Sequence, residues 1–273
     1  MGFGNRLVEA GRTHGRLCVG IDPHAALLEQ WGLANTVDGL RTFAMTCVEA
    51  FGGHVAAIKP QVAFFERFGA QGFAVLEETL AATRELGTIT IADAKRGDIG
   101  STMAGYAAAW LEPGAPLEAD AMTLTPYLGV ESLAPAIELA QQHGKGVFVM
   151  SANSNPEAER FQTSTLNSGV TVAQFMVDEC AKFNADAASR GQVGDVGVVV
   201  GATVDKPPAL ASLNAPVLMP GVGAQGASFA DVDRIAGTRA HLVFPNVSRS
   251  VLRHGPKVDD LRNQAVELGK RTN

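Results

Sequence analysis

Eight short apolar runs, rich in β-branched residues, recur along the chain with longer amphipathic stretches between them. They are Leu17–Asp22, His54–Pro60, Thr88–Lys95, Ala121–Pro126, Gly146–Ala152, Val196–Thr203, Pro216–Val222 and His241–Val247. Runs that stay apolar without alternating suit strands buried on both faces, as in a parallel sheet. The segments between them carry helical spacing. Leu40, Phe43, Ala44, Cys47, Val48 and Phe51 fall on one helix face. Phe73, Leu76, Leu80 and Ala81 repeat the pattern in the next segment, and Gly87 stands where a helix C-terminus would want it. Eight βα units with no break in composition predict an α/β fold, a single-domain (β/α)8 TIM barrel over residues 1–273. Periodicity does not show closure, so an open doubly wound sheet is the alternative.

Composition agrees with one large buried core. The chain has 273 residues, 46% hydrophobic and 18% charged, and barrels of this kind run to about 250 residues. A net charge of −6 argues against a nucleic-acid partner, which would call for a basic surplus. It does not exclude an anionic small molecule, because local charge at a pocket governs that. Cys18, Cys47 and Cys180 are odd in number and widely spaced, which suits reduced core thiols in a cytoplasmic protein and no zinc site. The six histidines lack metal-ligand spacing. The N-terminal residues hold no signal-peptide core, Arg6 breaks the myristoylation pattern, and no run approaches the ~20 apolar residues of a membrane span.

In a parallel barrel, functional groups sit at the C-terminal ends of strands. Asp22, Lys59, Asp93, Lys95, Thr125, Ser154, Thr203, Gln225 and Arg249 all fall just past or at the ends of the apolar runs. The densest signal is Asp93-Ala94-Lys95-Arg96-Gly97-Asp98-Ile99-Gly100. Side chains at i and i+2 share a strand face, so Asp93 and Lys95 emerge together. A site outweighs a structural ion pair here, because buried ion pairs seldom improve stability for their own sake. On spacing alone, Asp98 reads as the N-cap of a helix over Ile99–Leu111. Alternating carboxylate, ammonium and carboxylate favour the charged lysine. Such an ammonium can give a proton to a carbanion.

This octapeptide resembles the Asp-x-Lys-x-x-Asp signature of the orotidine 5′-monophosphate decarboxylases. The resemblance continues at Gly20-Ile21-Asp22-Pro23, Ile58-Lys59-Pro60-Gln61, Asn153-Ser154-Asn155-Pro156-Glu157, Val200-Gly201-Ala202-Thr203 and Pro220-Gly221-Val222-Gly223-Ala224-Gln225-Gly226. The motifs keep the family's order, and the Ser-Asn-Pro-Glu form is similar to the branch found in mycobacteria and some other bacteria. The resemblance implies a cofactor-free enzyme, with no metal, that converts orotidine 5′-monophosphate to uridine 5′-monophosphate and CO2 in pyrimidine biosynthesis. It implies roles as well. Lys95 would protonate C6, Asp93 would sit against the departing carboxylate, and Lys59 would join the charged network and contact the ribose. Asp22 would accept from a ribose hydroxyl, Ser154 would contact the pyrimidine, and Gln225 and Arg249 would bind the phosphate region. Asp98 and Thr102 would reach into a neighbouring subunit, making the active unit a homodimer with shared sites; that role displaces the cap reading of Asp98.

The phosphate site also has a case from the residues. Barrels often hold phosphate on the loops after strands seven and eight. Gly221, Gly223 and Gly226 allow close backbone approach, and Arg249 adds a forked donor. The same glycines spell GxGxxG, but the next strand ends in Pro245-Asn246 with no acid, so a dinucleotide site is not expected. Ser248 departs from the glycine the family often places before its arginine, and its side chain either crowds the phosphate or adds a hydroxyl. Two rivals stand beside the decarboxylase. One is a Mg²⁺-dependent sugar-phosphate decarboxylase or aldolase of the same superfamily; the other is a non-catalytic phosphate-binding barrel.

Overall fold

The computed structural model describes residues 1–272. Eight strands close into a parallel barrel in sequence order. They are β1 (Cys18–Ile21), β2 (Ala57–Pro60), β3 (Ile89–Arg96), β4 (Ala121–Leu124), β5 (Gly146–Ala152), β6 (Val196–Val200), β7 (Val217–Pro220) and β8 (Val243–Val247). Each lies inside one of the eight apolar runs, or overshoots it by one residue. The ring closes where Cys18 of β1 pairs with Asn246 of β8 and Val19 with Val247. Closure removes every sheet edge and decides against the open sheet.

Amphipathic helices pack around the outside. The helix Val37–Phe51 buries Leu40, Phe43, Ala44, Cys47, Val48 and Phe51, the face read from spacing. The helix Gly69–Glu85 buries Val75, Leu76, Thr79, Leu80 and Thr83. Its buried stripe is rotated from the expected one, and Phe73 and Ala81 are only half-buried at its edge. Gly87 follows at φ 68°, where a side chain would be strained. The alternation is broken once. Between β6 and β7, residues 201–216 form turns and extended chain with no helix. Pro207 and Pro208 sit in the middle of this stretch; each lacks the N–H that a helix interior needs.

Inside the barrel, a period of two separates structure from chemistry. Ala57, Ile91, Ala121, Phe148, Leu218 and Phe244 point inward and join one apolar cluster. The residues two positions on are Lys59, Asp93, Thr123, Met150, Pro220 and Asn246, and these line a cavity at the C-terminal mouth. The opposite mouth is sealed by the N-terminal helix Phe3–His14. Phe3 and Leu7 are fully buried there, and the Phe3 ring meets Phe148 edge-on at 5.8 Å. Gly146 admits this ring, since a Cβ on it would lie 2.1 Å from Phe3. The three cysteines are buried and free. Among the described residues, no helix is long and apolar enough to cross a membrane.

Phe3→Ala should therefore lower the unfolding free energy by about 3–5 kcal/mol, measured by urea denaturation. A loss under about 1 kcal/mol would mean that the ring does not seal the barrel.

Candidate active site

The cavity at the C-terminal mouth holds about 340 Å³ and draws residues from almost every strand end. That volume lies at the small end of ligand pockets. At its floor is Asp93, on β3, almost fully buried. Its two oxygens accept four side-chain hydrogen bonds. Lys59 Nζ donates to Oδ2 at 2.6 Å and Gln61 Nε2 to the same oxygen at 3.2 Å. Lys95 Nζ donates to Oδ1 at 2.6 Å and the Thr123 hydroxyl to the same oxygen at 2.9 Å.

The two lysines differ in access. The Lys59 side chain is 9% exposed and that of Lys95 41%. Lys59 belongs to the floor, whereas Lys95 reaches the open part of the cavity. Burial alone would push the Asp93 carboxyl up; the Lys59 and Lys95 ammoniums and their hydrogen bonds outweigh it and hold the group far below the usual carboxylate range. Burial would lower the Lys59 ammonium, but Asp93, with a smaller part from Asp22, raises it above the ordinary lysine value. Beside them, burial pushes the Cys18 thiol up to about 12, against the pull of Lys59, so it is no thiolate nucleophile.

Asp93 and Lys95 meet, but not by simple strand alternation. The β3–β4 register slips: Ala92 pairs with Met122, whereas Arg96 pairs with Leu124. Lys95 sits within this bulge at φ 48°, in the left-handed region. Gly97, just beyond it, could not carry a side chain, because its Cβ would lie 2.2 Å from the Thr125 carbonyl oxygen.

The upper cavity is built from loops. Ser154 Oγ, after β5, donates to Gln225 Oε1, after β7, at 2.8 Å and bridges the mouth. Arg249 opens a short helix after β8 and lines the same space. Gly221, Gly223 and Gly226 have φ of 111°, 75° and 95°, so the loop needs glycine at all three. The amides of Gly223, Ala224, Gly226 and Ala227 donate to carbonyls within the loop itself. Four amides of the expected cradle are thus spent on the turn, and Arg249 adds a charged donor to this part of the lining. Ser248 is accommodated by Gly20 on β1, where a Cβ would lie 2.1 Å from the serine hydroxyl.

Seven of the nine residues singled out from sequence line this cavity: Asp22, Lys59, Asp93, Lys95, Ser154, Gln225 and Arg249. Asp98 and Thr102 are not in its lining. Asp98 is half-buried and its Oδ1 accepts from the Ile99 amide at 2.8 Å; Thr102 is exposed on the helix Gly100–Leu111. Ile99, not Asp98, takes the N-cap position of that helix, and no side chain caps it. Thr125 and Thr203, also at strand ends, lie outside the lining.

The polar lining residues given no role from the sequence include Gln61, Thr123 and Asn246. Gln61 had a signal, since it stands two residues after Lys59 and so faces the same way. Thr123 had none, because the β3–β4 register that brings it to Asp93 is not written locally. Asn246 is the last residue but one of the final apolar run, and its Oδ1, like Asp22 Oδ1, is buried without a hydrogen-bond partner. Two orphan acceptors in one cavity suit a ligand that donates hydrogen bonds. Among the described residues, no group of three or more His, Cys, Asp or Glu is placed to hold a metal ion.

The profile of the orotidine 5′-phosphate decarboxylase / HUMPS family matches residues 15–263. The chain belongs to that family. A Corynebacterium glutamicum orotidine 5′-phosphate decarboxylase is 57% identical over 267 residues, 98% of this chain and 96% of that protein. The Salinispora tropica orotidine 5′-phosphate decarboxylase is 52% identical over 96% of this chain and 94% of its own. A Streptomyces avermitilis crystal structure, provisionally named for the same activity, has a TM-score of 0.95 at 50% identity and covers 99% of this chain and 94% of its own. The Leishmania donovani OMP decarboxylase structure has a TM-score of 0.79 at 31% identity, covering 100% and 98%. The family resemblance read from the ordered motifs therefore holds, and the Corynebacterium and Salinispora relatives are actinobacterial.

The sign of the Asp93 shift sets a pH dependence. A depressed carboxylate stabilises the fold above its unfolded value, about 4, and loses that contribution as pH falls through the folded value. Asp93→Asn should be less stable than the parent at pH 7, and the gap should shrink as pH falls below about 4. Thermal melts of both proteins from pH 7 downward test this; a gap that does not change with pH would contradict the ionic account.

Proposed function

We propose that this chain decarboxylates orotidine 5′-monophosphate to uridine 5′-monophosphate and CO2, with Lys95 as the acid. The observation that carries the reading is the Asp93 carboxylate held between two ammoniums at 2.6 Å in a cavity that Arg249 also lines. The C6–carboxylate bond breaks, CO2 leaves, and the electron pair stays on C6. A proton then passes from Lys95 Nζ to C6, and solvent restores the ammonium. Asp93 puts negative charge where the substrate's own carboxylate must lie, which disfavours that group as an anion and not as neutral CO2. Fixed charges cost no reorganisation at the moment of reaction, and this is the largest lever available to a site of this kind.

The remaining residues bind. Asp22 offers its unpartnered Oδ1 to a ribose hydroxyl, and Lys59 contacts the ribose. Ser154 meets the pyrimidine; Gln225 and Arg249 take the phosphate region. Binding energy from that remote phosphate holds the substrate against the Asp93 charge. No metal or organic cofactor is needed. A Mg²⁺ ion at Asp93 would have to displace two ammoniums, and that supports the metal-free reading over the Mg²⁺-dependent relatives. We read the whole chain as one catalytic domain, and its free buried thiols suit the cytoplasm.

We also propose a homodimer in which Asp98 and Thr102 complete the partner's site. Ile99, Tyr127 and Leu128 support this. They are large, hydrophobic and exposed, Ile99 next to Asp98 and Tyr127 and Leu128 past the end of the adjacent strand β4, and exposed apolar groups of this kind mark an interaction face.

Orotidine 5′-monophosphate should be consumed with EDTA present, followed by ultraviolet absorbance. Lys95→Ala should abolish turnover and keep uridine monophosphate binding by calorimetry. Turnover lost to EDTA would favour the Mg²⁺ chemistry, and a fully active Lys95→Ala would remove the acid. Mixing inactive Asp98→Ala and Lys95→Ala subunits should restore partial activity, since one site of each heterodimer is intact. No recovery, with heterodimers shown by native mass spectrometry, would mean the sites are not shared.

A further inference from the structure

We infer that Thr123 is a positioning residue that, together with Thr125, fixes Lys95 against Asp93 through the main chain; the inference rests on Lys95 being the proton donor. Neither threonine was assigned a role above. Both come from β4, and they act on a residue of β3 where the ladder between those strands fails.

The failure is local. From Ala92 to Arg96, β3 spends four residues while β4 spends two, Met122 to Leu124. Lys95 lies in the surplus, with φ 48°, a conformation that persists in a lysine only when the surroundings over-determine it. Its backbone groups still need partners, since a buried peptide group without one is costly. The threonines supply them. Lys95 N–H donates to Thr123 Oγ1 at 2.9 Å, and the Thr125 hydroxyl donates to the Lys95 carbonyl at 2.7 Å.

The Thr123 hydroxyl has no freedom in how it is used. A backbone N–H can only donate, so the oxygen must accept from Lys95. Its single proton is then given to Asp93 Oδ1 at 2.9 Å, the same oxygen that accepts from Lys95 Nζ. One buried hydroxyl, 1% exposed as a residue, thus holds the lysine's main chain at one end and its counter-ion at the other. The root of the lysine and the carboxylate that meets its tip are tied to one atom. Thr125 locks the other side of the same residue, the peptide that follows Lys95, from an exposed position. A role of this kind alters where the ammonium stands, not what the cavity binds.

Thr123→Val keeps the shape and removes both hydrogen bonds; Thr123→Ser keeps both. In steady-state assays with orotidine 5′-monophosphate, Thr123→Val should lose about 10²-fold in kcat, the scale expected for a small misplacement of a reacting group. KM and the Kd for uridine monophosphate should stay within roughly threefold, because binding is not what is disturbed. Thr123→Ser should recover most of the loss. An unchanged kcat in Thr123→Val, or an equal loss in Thr123→Ser, overturns the role. If thermal melts show that Thr123→Val does not fold, the exposed Thr125→Val reads the same clamp. A kcat loss of about tenfold supports it, and an unchanged kcat overturns it. Lys95→Ala, run alongside, separates the two levels. Turnover that survives in it overturns the donor assignment and the positioning role together. An inactive Lys95→Ala beside an unimpaired Thr123→Val overturns the positioning role alone.

Discussion

One carboxylate organises this molecule's chemistry. Asp93 carries its charge at the end of a barrel interior that is otherwise apolar, and it does so because two ammoniums and two neutral donors converge on it. Removing water from such a group is expensive, and a buried ion pair rarely returns more than it costs. The arrangement is therefore poor as a device for stability and well suited to holding a field in place. The closed barrel allows it, because side chains from β2, β3 and β4 reach a common point with the backbone hydrogen bonds already satisfied.

The period of two along each strand sorts the work by depth. Phe148, Leu218, Phe244 and Ile91 fill the lower barrel with Phe3 pressed in from below. One step up, Lys59, Asp93, Thr123 and Asn246 face the opening. The lower layer supplies rigidity to the upper without sharing its chemistry. The bulge in β3 departs from the regular ladder next to the reacting groups, at Lys95.

Much of this was legible in the chain. The eight apolar runs foretold eight strands because burial on both faces leaves a mark that needs no partner to read. Asp22, Lys59, Asp93, Lys95, Ser154, Gln225 and Arg249 were found because strand ends and ordered motifs are local features. The rest depended on pairing. That Thr123 touches Asp93 follows from how β3 and β4 are set side by side, Ala92 against Met122, and nothing within either segment encodes that pairing. The helix expected after β6 is missing because Pro207-Pro208 interrupts the stretch. Asp98 does not cap its helix, since Ile99 stands between it and the first turn. The use of four loop amides within the turn was hidden for a similar reason: glycine spacing shows that a tight turn can form, not which hydrogen bonds the turn keeps for itself.

Ser248 and Gly20 carry a consequence for anyone who alters this barrel. The serine side chain occupies the volume that a methyl group on Gly20 would fill, across the seam where the first and last strands meet. The two positions behave as a single packing unit divided between the two ends of the chain. Exchanging the serine for glycine leaves a hole beside Arg249, and putting alanine at the glycine forces the serine side chain to move. A chimera joining the first strand of one relative to the last strand of another keeps this fit only if the two strands carry a compatible pair at these positions.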